Sequence, residues 1–237
     1  MIDSEDIARR YAALQARLTN IAQRAGRDPK DVTVLAVTKG RTAGEIAAVV
    51  ACGVPAIGEN YVQEARAKFG ALPHVARHFI GHVQTNKAAE IARTFDVVES
   101  VDRFPAAEAL SRAACRTGKA LRVLLQVNLS PAERFGCSPH EAPGLARRIR
   151  ELPCLALDGV MAIGPLGAGE AAIARAFEIA AEVRTAIGGA VLSIGMSDDW
   201  EAAVHAGSTE IRIGTALFGP RPTARASKMK EPEAKSA

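Results

Sequence analysis

A lysine at the end of an apolar stretch is the first residue of this 237-residue sequence that could do chemistry. Residues 32–38 are mostly apolar and rich in β-branched side chains, which is typical of a strand covered on both faces. Lys39 follows directly, and a lysine there can face a cleft and form an imine with a carbonyl compound. Its ordinary interpretation is a charge that marks where the strand meets solvent.

Two later strand ends carry groups suited to an anion. Gly195, Met196 and Ser197 follow a predicted strand at 191–193, and Gly214 with Thr215 follows another at 210–213. Glycines let backbone N–H groups approach an oxyanion, and the two hydroxyls add donors where we expect helices to begin. The pattern predicts a phosphate site, and it also fits Ser197 or Asp198 as a helix cap.

Arg212 lies inside the last predicted strand and needs an acceptor if it is buried. Its default partner is Glu210 or another carboxylate, and the alternative is a ligand. Asn60, after the second strand, is either a ligand-binding residue or the N-cap of a helix that starts at Tyr61. An imine-forming lysine, a phosphate site and an arginine donor together indicate a pocket for pyridoxal phosphate.

Strands and helices alternate along the chain, and this pattern predicts the fold. Eight strands are expected, at 32–38, 56–58, 78–80, 96–98, 121–127, 157–163, 191–193 and 210–213. No proline- or glycine-rich linker divides them, so we predict an α/β fold in which residues 1–220 form a single (β/α)8 TIM-type barrel domain. Residues 1–26 add an N-terminal helix that packs on it. A doubly wound open sheet is the structural alternative.

Composition excludes several classes of protein. The formal net charge is +4, from 30 basic and 26 acidic residues, and most of the excess lies in 221–237, which we expect to be a disordered basic tail. That tail has no aromatic residues for stacking, so no specific nucleic-acid partner is expected. The four cysteines are widely spaced and the histidines do not cluster, so we expect no metal site. Reduced thiols, a cytoplasmic location and no membrane partner follow.

Long blocks of the sequence resemble the pyridoxal phosphate homeostasis protein family. The resemblance covers nearly everything from Val32 to Gly219, and its blocks are 37–39, 58–64, 78–87, 192–203 and 207–219. The fold that it implies is the barrel domain of alanine racemase, of the fold type III class of pyridoxal phosphate proteins, without that enzyme's second domain.

The resemblance assigns roles to individual residues. It implies that Lys39 forms the imine, that Arg212 faces the pyridine nitrogen, and that three residues hold the phosphate, namely Ser197, Gly214 and Thr215. Asn60 and Met196 would line the cofactor. His82 lies in a shared block without an assigned role, and we expect a buried, hydrogen-bonded histidine. This chain has Thr38 where serine is usual, and its Gly40 to Ala43 segment lacks the usual proline, which predicts a looser loop.

The expected function is to hold pyridoxal 5'-phosphate in intracellular homeostasis and delivery, with no catalytic residue assigned. Arg212 would leave the ring nitrogen unprotonated and so weaken the electron sink. The implied partners are pyridoxal phosphate-dependent apoenzymes, and the implied state is a monomer. A stand-alone amino-acid racemase is the runner-up, although the only tyrosines are Tyr11 and Tyr61. A barrel aldolase that uses Lys39 on a sugar phosphate is a further alternative.

Overall fold

Eight parallel strands close into a barrel in chain order, and the last strand pairs with the first. The computed structural model describes residues 3–70, 72–130, 135–165 and 167–220. The strands are β1 Thr33–Val37, β2 Ala56–Glu59, β3 Ala76–Phe79, β4 Val97–Val101, β5 Leu121–Asn128, β6 Leu155–Ile163, β7 Val191–Ser193 and β8 Glu210–Ile213. The predicted (β/α)8 barrel is confirmed, and the closed sheet rules out the open doubly wound alternative. The expected tail at 221–237 lies outside the described residues.

Helices cover the outside of this barrel. They are α1 Ser4–Arg24, α2 Ala43–Ala51, α3 Val62–Phe69, α4 Ala88–Thr94, α5 Phe104–Thr117, α6 Ala142–Arg150, α7 Glu170–Ile187, α8 Trp200–His205 and α9 Thr215–Phe218. Short 3-10 turns at Pro29–Asp31 and Thr85–Lys87 precede β1 and α4. None of the described helices is long and apolar enough to cross a bilayer.

The additional N-terminal helix is present and forms where its sequence pattern places it. Ile7, Leu14, Leu18 and Ile21 recur at helical spacing and are buried. The helix packs against α2, α8 and α9, which lie beside the seam between β8 and β1. Burying this apolar stripe therefore supports the part of the barrel where Lys39 and Arg212 lie.

The inside of the barrel is unusually polar at mid-height. His78 on β3 and Glu210 on β8 are buried, and their nearest side-chain atoms are 3.6 Å apart although these strands are not neighbours. Both side chains must therefore point into the barrel. Because strand side chains alternate between faces, Arg212, two residues after Glu210, points inward as well.

One covalent link contradicts the sequence-based expectation of reduced thiols. Cys115, at the end of α5, forms a disulfide with Cys154, which immediately precedes β6. The two residues are 39 positions apart, so only the packing of α5 beside β6 brings them together. Cys52 and Cys137 are free thiols.

Candidate functional site

All the residues predicted to bind the cofactor lie at the carboxyl-terminal end of the barrel strands. A Cβ added to Gly214 would lie 3.6 Å from Cβ of Val37, so the β8 and β1 ends are adjacent. The residues brought to this rim are Lys39, Asn60, Met196, Ser197, Arg212, Gly214 and Thr215. Barrels of this class gather their ligand-binding groups at this end.

The backbone just before Lys39 is held by buried side chains. The Thr38 hydroxyl lies 3.1 Å from Gly58 O and 3.2 Å from Glu59 Oε1, and its single proton is shared between these two acceptors. The Lys68 ammonium donates to Glu59 Oε1 at 3.0 Å and to Thr38 O at 3.4 Å. Burial raises the pKa of Glu59, and hydrogen bonding to Lys68 opposes this shift only in part. The end of β1 is thus fixed to β2 and α3.

Hydrogen bonds hold the loop after Lys39, while the looser loop expected from the missing proline stays a prediction. Gly40 N–H donates to Glu64 Oε2 at 2.9 Å, and Gly40 has a φ of 70°, which suits glycine. The buried Arg41 donates to the carbonyl oxygens of Phe218 at 3.1 Å and Gly219 at 2.5 Å. These bonds join the β1 loop to the end of α9.

Arg212 does not form the predicted ion pair with Glu210. Its guanidinium donates to Ser193 O at 2.6 Å, Ser193 Oγ at 2.8 Å and Ala162 O at 2.7 Å. These described bonds use three of its five N–H groups, and all three acceptors are neutral. An arginine that is 4% exposed and held by neutral acceptors keeps its charge available to a ligand in the barrel mouth.

Asn60 does not cap a helix. Tyr61 occupies the N-cap position of α3 without a side-chain cap bond. Oδ1 of Asn60 is buried and has no hydrogen-bond partner among the described residues. Because leaving a buried amide oxygen unpaired is costly, this atom is a candidate acceptor for a ligand donor. Gly81 packs directly on Asn60, since an added Cβ there would lie 2.0 Å from Asn60 O.

At the predicted phosphate site, the helices differ from the prediction in where they start and in how they are capped. The helix α8 starts at Trp200, three residues after Ser197, and neither Ser197 nor Asp198 caps it. Instead, the Asp199 carboxylate accepts the Met196 N–H at 2.5 Å. The helices α8 and α9 contain only six and four residues, so their dipoles contribute little. Backbone N–H groups and the two hydroxyls are the donors that remain for an anion.

His82 meets only part of the expectation of a buried, hydrogen-bonded histidine. Its Nδ1 is buried but has no hydrogen-bond partner in the described structure, and it lies 3.9 Å from Asp102 Oδ2. The ring stacks on Phe135, with ring centroids 3.8 Å apart. Burial lowers the pKa of His82, so the imidazole is neutral at neutral pH. The expectation of a hydrogen-bonded histidine is therefore wrong at Nδ1.

Sequence reasoning missed the polar side chains beneath Arg212. His78, Glu99 and Ser193 are buried strand residues, and Glu99 forms hydrogen bonds with the other two. The sequence contains a signal for them, because alternate residues of a strand face the same side. The polar residues His78, Glu99 and Glu210 each lie two positions from another inward-facing strand residue. A prediction based on strand ends alone does not use this signal.

The residues at the rim fit pyridoxal phosphate. The unpaired Asn60 Oδ1 offers an acceptor, Arg212 a buried donor, and Gly214 a backbone without a side chain of its own. Lys39 stands at the end of β1 between the Asn60 and Gly214 loops. An amine, a hydrogen-bond acceptor, a cation and a glycine loop are the kinds of group that suit an aromatic aldehyde that carries a phosphate.

Comparison with known proteins defines the class first. Residues 10–222 match the family described as alanine racemase, N-terminal domain. A pyridoxal phosphate homeostasis protein of Pseudomonas aeruginosa is 44% identical over 222 residues, covering 91% of this chain and 96% of that protein. One from Escherichia coli K12 is 39% identical over 230 residues, covering 91% and 97%. The chain belongs to the pyridoxal phosphate homeostasis protein family.

Solved structures agree with this assignment. PipY of Synechococcus elongatus without pyridoxal phosphate superimposes with a TM-score of 0.80 at 36% identity, covering 90% of this chain and all (100%) of PipY. The PipY structure with pyridoxal phosphate bound gives a TM-score of 0.78 at 34% identity, with the same coverage of both chains. Alanine racemase from Corynebacterium glutamicum is 17% identical with a TM-score of 0.70, covering 94% of this chain and 63% of the racemase. That last likeness concerns the fold alone.

Proposed function

We propose that this chain binds pyridoxal 5'-phosphate through Lys39 and acts in intracellular pyridoxal phosphate homeostasis and delivery, with little or no turnover. The observation that carries this proposal is the family membership combined with the placement of Lys39, Arg212 and the Gly214 loop on one rim. The related PipY protein, at 34% identity, has a structure described as having pyridoxal phosphate bound.

Each rim residue has a distinct task in this proposal. The Lys39 amine anchors the aldehyde covalently, and Arg212 donates to the ring nitrogen. Asn60 and Met196 line the ring. Backbone N–H groups at Gly214 and the hydroxyls of Ser197 and Thr215 receive the phosphate. The bound cofactor would contribute an electron-accepting ring, and an arginine opposite its nitrogen limits that capacity because arginine does not protonate it.

The runner-up is a stand-alone racemase, which needs a second proton-transfer group opposite Lys39. Tyr61, the candidate near the rim, is 59% exposed, so it lacks the shielded position that a paired acid requires. We therefore assign no catalytic residue. We propose in addition a cytoplasmic monomer whose residues 1–220 work as one domain, with 221–237 as a basic tail and apoenzymes as recipients of the cofactor.

Four measurements on the purified full chain test the proposed function. We expect one pyridoxal phosphate per chain, with a visible imine band, and recovery of activity when the loaded chain is mixed with a pyridoxal phosphate-dependent apoenzyme. We also expect no exchange of the α-hydrogen of alanine or serine in deuterium oxide. Exchange that depends on Lys39 would favour the racemase, and turnover of a sugar phosphate without cofactor would favour the aldolase.

A further inference from the structure

A chain of hydrogen bonds runs through the barrel interior beneath Arg212. Arg212 Nη1 donates to Ser193 Oγ at 2.8 Å, and Ser193 Oγ donates to Glu99 Oε2 at 2.6 Å. His78 Nδ1 lies 2.7 Å from the other oxygen, Glu99 Oε1. The four side chains come from β8, β7, β4 and β3, and all are buried. The chain therefore crosses the barrel and is shielded from bulk solvent.

Donor and acceptor chemistry fixes the direction of this chain. A guanidinium can only donate, so Ser193 Oγ accepts from Arg212 and keeps its single proton for Glu99. Glu99 then accepts on both oxygens, from Ser193 and from His78 Nδ1–H, which requires the carboxylate form. Burial alone would raise the pKa of Glu99, but the hydrogen bond and charge of His78 and the charge of Arg212 lower it. Glu99 is thus the buried counter-charge of Arg212, acting through Ser193.

The far end of the chain meets a cavity at the amino-terminal end of the barrel. This cavity has a volume of about 370 Å³, and its lining includes His78, Glu210 and Arg122. Glu210 Oε2 lies 3.6 Å from His78 Nδ1, while Glu210 Oε1 is buried and lacks a described hydrogen-bond partner. A space of this size has room for several water molecules, each about 30 Å³. The buried chain therefore has a polar opening on the face opposite the cofactor rim.

We propose that Ser193, Glu99 and His78 act as positioning residues for Arg212, and that protons exchange with this chain through the amino-terminal cavity. The inference rests on the proposed function, because it takes the ring nitrogen of pyridoxal phosphate as the acceptor of Arg212. Its consequence is that the protonation of groups far below the cofactor controls how Arg212 is presented to the ring.

Glu210 and His78 are the two groups of this cluster whose pKa is raised. Burial, followed by the Glu99 charge, raises the pKa of Glu210 to about 8. Burial would lower the pKa of His78, but the hydrogen bond to Glu99 and the charges of Glu210 and Glu99 outweigh it and raise it. Other charged groups near this site are Arg212, and Asp31 and Arg122 in the cavity lining; Arg122 is paired with Asp158 at 2.5 Å.

Among the described residues, the other inward-facing strand positions at this level are uncharged. They are Leu35 on β1, Gly58 on β2, Leu124 on β5 and Met161 on β6. As the pH rises through about 8, Glu210 ionises and places a second negative charge beside Glu99. We expect the affinity for pyridoxal phosphate to change over the same pH range.

The test measures the dissociation constant of pyridoxal phosphate for the full chain, from its visible band, between about pH 6 and about pH 9. Ser193→Ala should weaken binding about tenfold, the effect of losing one charge-assisted hydrogen bond. Ser193→Thr keeps the hydroxyl and should restore binding to within about threefold. Ser208→Ala is the matched control, because Ser208 is equally buried but its hydroxyl bonds only to backbone carbonyls in the described structure.

Glu210→Gln tests the link to protons. It should remove the pH-dependent step in affinity near pH 8 while leaving the lower-pH affinity unchanged within about threefold. The inference is overturned if Ser193→Ala and Ser208→Ala weaken binding equally, or if the step persists in Glu210→Gln.

A metal site is the competing interpretation of the same residues. The ligand atoms of His78, Glu99 and Glu210 lie within 4.8 Å of one another. If Zn²⁺ binds the full chain in a one-to-one ratio and His78→Ala abolishes that binding, the cluster is a metal site and the positioning role fails. A wild-type chain that forms no imine band refutes the proposed function, and this inference with it. A wild-type band with unaltered variants refutes the inference alone.

Discussion

Glu59 and Arg212 are both charged and almost fully buried, yet their charges are stabilised in different ways. Glu59 has a direct ion pair with Lys68, whose ammonium lies 3.0 Å from Glu59 Oε1. Among the described residues, Arg212 has only neutral acceptors, and its counter-charge is Glu99, which it reaches through Ser193. The first arrangement fixes the backbone before Lys39, and the second keeps a buried cation without a direct ion pair to a described residue.

Lys68→Met should be strongly destabilising, because it leaves the Glu59 carboxylate buried without its cation. We expect a loss of about 3 kcal/mol in the free energy of unfolding, measured by urea denaturation. Adding Glu59→Gln to the same chain removes the orphaned charge and should recover most of this loss. A double variant as unstable as Lys68→Met would show that the ion pair is not what holds this part of β2.

Gly195→Ala should also destabilise, for a steric reason. Gly195 has a φ of 94°, and an added Cβ would lie 2.6 Å from Cβ of Ala203 and 2.9 Å from Cα of Trp200. The strained backbone and the overlap together should cost about 2–3 kcal/mol by urea denaturation. Gly188→Ala is the control, with a φ of 67° and no atom within 4 Å, and should cost about 1 kcal/mol. Equal losses would contradict the packing argument.

The loops at the rim are the elements that the sequence described least well. The positions of Lys39, Arg212 and Gly214 at strand ends could be predicted, because a strand's end follows from its apolar run and parallel strands end on one face. The Arg41 bonds to Phe218 and Gly219 could not, since they join residues 177 and 178 positions apart. The unpaired Asn60 oxygen likewise depends on where α3 begins, which propensity fixes only within a few residues.

The interior strand residues make folding stability depend on pH. The pKa values of Glu210 and His78 are both raised in the folded chain. Burial is the main cause for Glu210. For His78, burial lowers the pKa, but the neighbouring Glu99 and Glu210 raise it by more. A group whose pKa is higher in the folded than in the unfolded chain stabilises the fold fully at a pH below its unfolded pKa. This stability is lost as the pH rises through its folded pKa. The unfolded pKa is 4.5 for the glutamate and 6.5 for the histidine, and the folded pKa of Glu210 is about 8.

We therefore expect the melting temperature to fall as the pH rises from about 6 towards about 8, and to fall less steeply above about 8, where Glu210 is ionised in the folded chain as well. Thermal denaturation followed by circular dichroism measures this. Glu210→Gln cannot ionise and should flatten the profile, whereas Glu141→Gln, at an exposed position, should not. A melting temperature that rises over this range in the wild-type chain would contradict the assignment of Glu210 as a buried neutral acid.

At the scale of the whole molecule, closure of the barrel is what assembles the site. β8 returns to β1 with Leu35 opposite Arg212 and Ala36 opposite Ile213, so the Gly214 loop lies beside the Lys39 loop. An open sheet would place the first and last strands at opposite edges. The order of eight βα units predicted this closure, while the Cys115–Cys154 disulfide between α5 and the start of β6 could not be inferred from spacing.

The disulfide should stabilise the folded chain because it closes a loop across a sequence separation of 39 residues. Chain entropy gives about 4 kcal/mol for a loop of that length. Reductant should therefore lower the melting temperature of the wild-type chain, and Cys115→Ser should melt at the lower temperature with or without reductant. Cys52→Ser keeps the disulfide and should respond to reductant as the wild type does. An unchanged wild-type melting temperature would argue against this contribution.

The central claim is that Lys39 is the covalent anchor for pyridoxal phosphate, and borohydride reduction tests it most directly. The full chain loaded with pyridoxal phosphate is reduced, digested and analysed by mass spectrometry. We predict one reduced adduct per chain, located on Lys39, lost in Lys39→Ala and retained in Lys87→Ala. An adduct of equal yield on another lysine, or its persistence in Lys39→Ala, would contradict the account.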